Sequence, residues 1–125
     1  MSLTTQGIEG EKKARLFLKQ FVKADTIFQL DWLFKYKDKY YCLEVKNKEL
    51  FIPPPFYGQG LDVRQVITRL QFYKDTGIRC LFIVFDTDNK IYYQWLDVLE
   101  NTKHFTTKNN IRIYNIEYFK KKINK

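Results

Sequence analysis

The chain has 125 residues, of which 45% are hydrophobic and 18% aromatic, a composition that excludes a disordered tail and can support one hydrophobic core. Its 22 Lys and Arg residues outnumber its 14 Asp and Glu residues, and the resulting net charge of +8 favours an anionic partner such as nucleic acid. The sequence has no membrane-spanning apolar run and no signal-peptide core, and Cys42 and Cys80 lie in apolar runs typical of buried free thiols. We therefore expect a single cytoplasmic domain over residues 1–125.

The first half of the chain is predicted to form a helix, a hairpin and a loop. Residues 6–24 have helical periodicity. Residues 27–36 and 40–46 have strand-like patterns and are separated by a polar turn, so we expect them to pair as a hairpin. Residues 48–60 are predicted as a loop, because three consecutive prolines cannot continue a strand ladder.

The second half begins with a helix over residues 61–76, which Gly77 is expected to end. The continuous apolar run 80–85 is typical of a strand covered on both faces. A hairpin followed by a helical crossover favours an α/β fold with a mixed central β-sheet flanked by helices. The remaining predicted elements are a strand over residues 91–95, a short helix over 96–101, a strand over 111–116 and a basic helical end over 118–122.

The predicted hairpin brings acidic side chains together. If residues 37–38 form a two-residue turn, Asp31 lies directly opposite Glu44 on the same face, with Cβ atoms roughly 5 Å apart. A slip of one position would place Asp31 opposite Lys46 instead, and either register gathers two carboxylates and an ammonium group. Like charges at this distance are destabilising unless they are neutralised, and hard oxygen ligands suit Mg²⁺ or Mn²⁺.

A third acidic residue is predicted on the first helix. Helical phase places Glu11 between Leu18 and Val22, inside the apolar stripe, whereas Glu9 falls on the polar side. A carboxylate within a core-facing stripe is costly unless it is paired or bound to metal. We therefore expect Glu11, and not Glu9, to approach the hairpin.

These residues resemble the PD-(D/E)xK nuclease superfamily, and in particular small members similar to archaeal Holliday-junction resolvases. The resemblance is carried by the segment GIEGEKKA at residues 7–14, by FQLDW at 28–32 and by LEVK at 43–46. It covers residues 7–86. It implies a restriction-endonuclease-like core with the order α-β-β-β-α-β.

The resemblance also implies the chemistry of a site. A Mg²⁺ or Mn²⁺ ion would be held by Asp31, Glu44 and the Val45 carbonyl, with Glu11 assisting, while Lys46 would position or deprotonate a water. The implied activity is a metal-dependent endonuclease that hydrolyses DNA phosphodiester bonds, with branched DNA as the favoured substrate and a homodimer as the assembly. A catalytically silent DNA-binding accessory protein with the same fold is the alternative, and RNA cleavage is a third hypothesis.

Residues outside this set are candidates for contacts with nucleic acid. On the helix over residues 61–76 the predicted core stripe is Val63, Val66, Ile67, Leu70 and Tyr73. Gln65 and Arg69 lie on a second stripe that we expect to face the cleft, although a solvated outer face is an equal alternative for Arg69. Lys48 with the loop aromatics Phe51, Phe56 and Tyr57 is a candidate base-stacking lip, but we favour the alternative in which these aromatics anchor the loop to the body.

Overall fold

The computed structural model describes residues 5–87 and 89–123. The helices are α1 (Thr5–Phe17), α2 (Val63–Thr76) and α3 (Leu96–Glu100). A π-helical turn, Leu18–Val22, extends α1, and a 3-10 turn, Ile116–Tyr118, precedes the last strand. The strands are β1 (Trp32–Tyr36), β2 (Lys39–Asn47), β3 (Gly58–Asp62), β4 (Cys80–Phe85), β5 (Lys90–Trp95), β6 (His104–Thr106), β7 (Ile111–Asn115) and β8 (Lys120–Ile123).

The fold is a mixed α/β architecture, as predicted. Five strands form one sheet in the order β1-β2-β4-β5-β8, and three form a second sheet in the order β3-β7-β6. Strands β2 and β4 are parallel because α2 carries the chain across between them, and the other pairings are antiparallel. The chain order from α1 to β4 is the α-β-β-β-α-β order that the resemblance implied. No helix in the described parts of the chain is both long and apolar enough to span a membrane.

The hydrophobic core lies on one face of the five-stranded sheet. Its fully buried side chains include Phe82 and Val84 from β4, Leu61 from β3, Val66 from α2 and Tyr114 from β7. The predicted thiols Cys42 and Cys80 are free and buried in the same core. Helices α2 and α3 and the second sheet therefore cover this face.

The hairpin has the predicted register. Its pairs run from Trp32 opposite Leu43 to Tyr36 opposite Lys39. The two turn residues, Lys37 and Asp38, have φ of +49° and +65°, the left-handed conformation that a two-residue hairpin turn requires. The first strand is shorter than predicted, since Phe28 and Leu30 pack against the core before β1 begins.

Helix α1 is present where it was predicted, but its apolar side chains are largely open to solvent. Leu16, Phe17 and Phe21 are 57%, 56% and 72% exposed. Glu11 is also exposed, so the expected position in a buried stripe is wrong. The helical periodicity is correct, but α1 lies over the segment 27–29 and not over the sheet.

The core stripe predicted for α2 is partly wrong. The helix begins after Asp62, whose side chain accepts a hydrogen bond from the Arg64 backbone N–H at 2.8 Å, and it ends at Gly77 with φ +77°. Val66 is buried as predicted, but Arg69 is buried too and Ile67 is 57% exposed. A charged side chain thus occupies the covered side of the helix, because a buried carboxylate on β2 is there to meet it.

Two strands lie where the sequence predicted other structure. Strand β3 occupies the end of the predicted loop, and its Gly60 is required because an added Cβ would stand 2.0 Å from the Arg112 carbonyl oxygen of β7. Strand β8 replaces the predicted basic helical end and pairs with β5. Charged side chains on an edge strand discourage pairing with other chains, which gives the lysines of β8 a structural role.

Candidate active site

Glu44 is a buried acid at the centre of the candidate site. It lies on β2 on the same face as Cys42, and it is 1% exposed. Arg69, from α2, has a side chain that is 6% exposed, and its Nε donates a hydrogen bond to Glu44 Oε1. A buried carboxylate is stable only with such a partner. Helix α2 therefore supplies, through Arg69, the positive charge that neutralises Glu44 on β2.

Asp31 lies one residue before β1 and is exposed. The hairpin pairing begins with Trp32 opposite Leu43, and Asp31 directly precedes it, at the end of the hairpin where Glu44 follows Leu43. A hydrogen bond with Cys80 lowers the pKa of Cys42, while burial and then the charges of Glu44 and Asp31 oppose that shift. Both carboxylates therefore act electrostatically on the same thiol, as expected for neighbours on one face.

A polar cleft of about 280 Å³ opens beside Asp31. Gln65 and Arg69 from α2 line it, which brings these two predicted residues together with Asp31. Arg69 thus faces the cleft while it holds Glu44. The cleft is completed by Arg15, Gln29, Arg64 and Thr68. Since Glu44 neutralises Arg69, the positive charge of the cleft against Asp31 comes from Arg15 and Arg64, and this balance favours anions.

Lys46 lies two residues beyond Glu44 on the same face and is half-buried. Burial lowers the pKa of Lys48, and the charge of Lys46 adds to that shift. The pKa of Asp62 is lowered mainly by the hydrogen bond from the Arg64 backbone N–H, with a smaller contribution from Lys46. Lys48 Nζ donates a hydrogen bond to the Gly60 carbonyl oxygen at 3.1 Å, so Lys48 is tied to β3, whereas Lys46 follows Glu44 on the same face.

The loop aromatics contact the body of the protein. The rings of Phe51 and Phe56 lie 5.3 Å and 5.5 Å from that of Phe105 on β6, measured between centroids. Tyr57 is 52% exposed. These contacts favour the alternative in which the aromatics anchor the loop.

Glu11 lines a different groove from that of Asp31. Its neighbours there include Leu18 of the π-helical turn and Phe28. Arg15 and Gln29 line both the groove and the polar cleft, and Arg15 donates a hydrogen bond to Gln29 at 2.5 Å. Glu11 is therefore separated from the cleft by this arginine–glutamine pair.

Sequence reasoning missed one buried polar pair near the site. Gln59 is 1% exposed, and its Nε2 donates to Asp86 Oδ2 at 2.9 Å and to the Lys48 carbonyl at 3.3 Å. The signal in the sequence is a polar residue between Gly58 and Gly60, inside the segment that its prolines predict as a loop. The pair fixes the end of β4 against β3 and the chain that leaves β2.

The donor chemistry of the site fits a hard divalent cation. Mg²⁺ usually binds through one or two carboxylates and keeps several waters, and Asp31, Glu44 and the Val45 carbonyl offer oxygen donors of this kind. Within the described residues, no group of three or more His, Cys, Asp or Glu side chains is arranged to hold a metal. A cation here would thus depend on two carboxylates, one of which Arg69 also holds.

Comparisons with known proteins place the fold. No protein-family model matches the sequence, and no curated protein matches it significantly. The structure is similar to that of Hjc, a Holliday junction resolvase from the hyperthermophilic archaeon Archaeoglobus fulgidus, with a TM-score of 0.50 and 14% sequence identity. The similarity covers 88% of this chain and 87% of that chain. The chain therefore has a nuclease-like fold, distantly similar to that of the resolvase.

Proposed function

We propose that the chain is a divalent-metal-dependent endonuclease of the PD-(D/E)xK type that hydrolyses phosphodiester bonds in branched DNA. One observation carries the proposal: Asp31 directly precedes the first hairpin pair, Trp32 opposite Leu43, so that it lies near Glu44, and Lys46 follows Glu44 on the same face of β2. This set lies in a fold similar to that of a Holliday junction resolvase. The fold similarity supports a nuclease, and the residues support the type of chemistry.

Asp31, Glu44 and the Val45 carbonyl would hold Mg²⁺ or Mn²⁺, and Glu11 would act on this site from α1 only through the Arg15–Gln29 pair that separates it from the cleft. The metal would supply positive charge that stabilises the phosphate in the transition state and lowers the pKa of a water. Lys46 follows Glu44 on the same face, and its side chain would either orient the attacking water as an ammonium donor or accept the proton of that water as a neutral amine.

The polar cleft supports binding of a phosphate backbone. Gln65 and Arg64 line it beside Asp31, and the Arg64 side chain is 90% exposed, whereas Arg69 is held by Glu44. Arginine binds phosphate oxygens with two parallel donors, which positions the backbone without reading the sequence. The net charge of +8 adds a long-range attraction for DNA.

A catalytically silent DNA-binding protein is the second candidate. The observation that favours it is the buried ion pair of Glu44 with Arg69, because a carboxylate already neutralised has less need of a metal. Asp31, which is exposed in the arginine-lined cleft, would then only modulate the affinity of the protein for DNA.

A cleavage assay separates these candidates. Four-way-junction, flap, single-stranded and plasmid DNA and a structured RNA are incubated with Mg²⁺, Mn²⁺ or EDTA. We expect cleavage of junction DNA with metal and none in EDTA. Glu44→Gln should abolish it, while Glu117→Gln, an exposed glutamate beyond β7, should not. Retained junction binding without cleavage under any metal condition would favour the silent protein, and cleavage of RNA alone would change the substrate.

A further inference from the structure

A cavity of about 580 Å³ lies between the chain that leaves β2 and the second sheet. One wall is the segment 48–52, and the other comes from β3, from β7 and from the turn before β7. The cavity shares no lining residue with the polar cleft beside Asp31. Sites for small organic groups are usually cavities of about 300–1,000 Å³, so this cavity has room for a ligand of nucleotide size or smaller.

The walls of the cavity are mainly apolar. Five apolar side chains line it: Leu50, Phe51, Ile52, Ile111 and Ile113. Phe51 is held in place, because its ring packs against that of Phe105 and its backbone pairs with that of Gly58. Fixed apolar walls suit a flat heterocyclic ring, whose faces gain contact area without hydrogen bonds.

Gln59 is a buried polar side chain in the wall of this cavity. It is 1% exposed, and its Nε2 donates hydrogen bonds to Asp86 Oδ2 and to the Lys48 carbonyl oxygen. Both neighbours are acceptors, so they fix the orientation of the amide. Gln59 Oε1 accepts no hydrogen bond from any residue that the structure describes. A buried acceptor without a donor is costly, so this position favours a ligand that presents an N–H group.

Two exposed polar side chains complete the lining. Glu49 and Asn109 both line the cavity, one from each wall. Carboxylates and amides complement the donors and acceptors on the edges of nucleobases, as Glu does for cytosine and Asn for adenine. A cavity with flat apolar walls, a buried acceptor and a polar margin therefore has the chemistry of a nucleobase site.

The cavity and the polar cleft lie on either side of the start of α2. Asp62, which precedes α2, pairs on β3 with Ile111 in the cavity wall. Arg64, two residues later, contacts the Asp62 carboxylate at 3.4 Å and lines the cleft. Lys48 in the cavity wall follows Lys46 by two residues. A strand bound in the cleft would therefore reach the cavity with a neighbouring nucleotide.

We infer that the cavity binds one unpaired nucleobase of the DNA, next to the phosphate that is cleaved. The position next to cleavage rests on the proposed function, whereas binding of the base does not. A base in a duplex is stacked and paired, and taking it out costs least where it is already unpaired. The preferred substrate is then a branch or bulge with an unpaired nucleotide, rather than a junction in which every base is paired.

The test compares three DNAs labelled for fluorescence anisotropy and titrated with the protein in EDTA. They are a duplex with a one-nucleotide bulge, the same bulge with an abasic residue, and the fully paired duplex, with each of the four bases placed in the bulge. Stacking and hydrogen bonding of one base should make the best bulge bind at least about tenfold more tightly than the abasic bulge. Equal affinity for every base and the abasic residue would overturn the inference.

A free mononucleotide carries the same base and serves as a competitor. We expect no displacement of the bulged DNA by mononucleotide at micromolar concentration, because the phosphate backbone supplies most of the affinity. Displacement at that concentration would assign the cavity to free nucleotides and overturn the inference.

Substitutions in the cavity should reduce the ratio of the two affinities, base over abasic. Gln59→Met removes the acceptor, and Ile52→Asp charges a wall side chain that is 69% exposed, so each should lower the ratio about fivefold. Ile67→Asp, 57% exposed on α2 and outside the cavity, is the matched control and should leave the ratio unchanged. An unchanged ratio in Ile52→Asp would overturn the inference, even where circular dichroism shows that Gln59→Met does not fold.

The base site and the proposed nuclease fail separately. Because binding is measured in EDTA, a tenfold preference for the base without cleavage in Mg²⁺ would refute the nuclease and retain the base site. Cleavage in Mg²⁺ with no preference for the base would do the reverse.

Discussion

The same strands form both faces of the five-stranded sheet, but the two faces differ in how far their side chains are buried. On the covered face, Cys42, Phe82 and Val84 are fully enclosed, and the charged Glu44 among them is matched by Arg69. On the opposite face, apolar side chains such as Val45 and Phe85 remain 38% exposed. Hydrophobicity alone therefore does not identify the core, because burial depends on which face the crossover helix covers.

The largest effect is expected from breaking the ion pair on the covered face. Arg69→Met leaves the Glu44 carboxylate buried without a partner and should lower the free energy of unfolding by about 3–5 kcal/mol. The double variant with Glu44→Leu should recover most of this loss, which denaturant unfolding of all three variants would measure. Additive losses in the double variant would mean that the two side chains do not depend on each other.

The next effect concerns the acid at the margin of the covered face. Asp31→Asn should reduce cleavage by about 100-fold or more, because it removes a negative ligand from the site. Its stability should remain within about 0.5 kcal/mol, since Asp31 is exposed. Asp25→Asn, an exposed aspartate in the same connection, is the control for cleavage rate and melting temperature. Equal rates in the two variants would remove Asp31 from the mechanism.

Matched valines compare the two faces directly. Val84→Ala on the covered face should cost about 2 kcal/mol of unfolding free energy, since Val84 is 0% exposed and its loss leaves a cavity. Val45→Ala on the opposite face should cost less, because Val45 is 38% exposed and its truncation leaves no enclosed cavity. Chemical denaturation of both variants measures the two losses, and equal losses would contradict the distinction.

The glutamates of α1 are expected to differ more modestly. Glu11 lines the groove next to Arg15, whereas Glu9 does not. Glu11→Gln should lower cleavage by about tenfold and raise the Mg²⁺ concentration needed, and Glu9→Gln should change neither. A Mg²⁺ titration of cleavage by both variants tests this, and a larger defect for Glu9→Gln would reverse the assigned helical phase.

The smallest effect is a pH dependence at Lys48. Burial lowers the pKa of Lys48, and the charge of Lys46 acts in the same direction. In the unfolded chain the pKa of Lys48 is near 10.5. At pH values between the lowered pKa of the folded chain and 10.5, the unfolded chain therefore binds more protons than the folded chain. The free energy of unfolding should rise with pH in this window. Lys48→Met should remove that rise, whereas the exposed Lys108→Met should retain it in parallel unfolding curves.

Local patterns in the sequence determined much of this fold. The two-residue turn and its flanking strands were predictable because residues 37–38 are polar and the strands beside them alternate. The end of α2 was predictable because Gly77 tolerates the left-handed conformation. The same register predicts that Asp31, which directly precedes the first pair, lies near Glu44, and this proximity of the two acids stays a prediction from local information.

Only the tertiary structure decided which surfaces are enclosed. Strand β3 could not be predicted because its glycines are explained by close contact with β7, which is distant in sequence. The burial of Arg69 could not be predicted either, because it depends on an ion pair between α2 and β2 with Glu44, which lies 25 residues away in sequence. Helical and strand periods specify which side chains share a face, but long-range packing specifies what, if anything, lies against it.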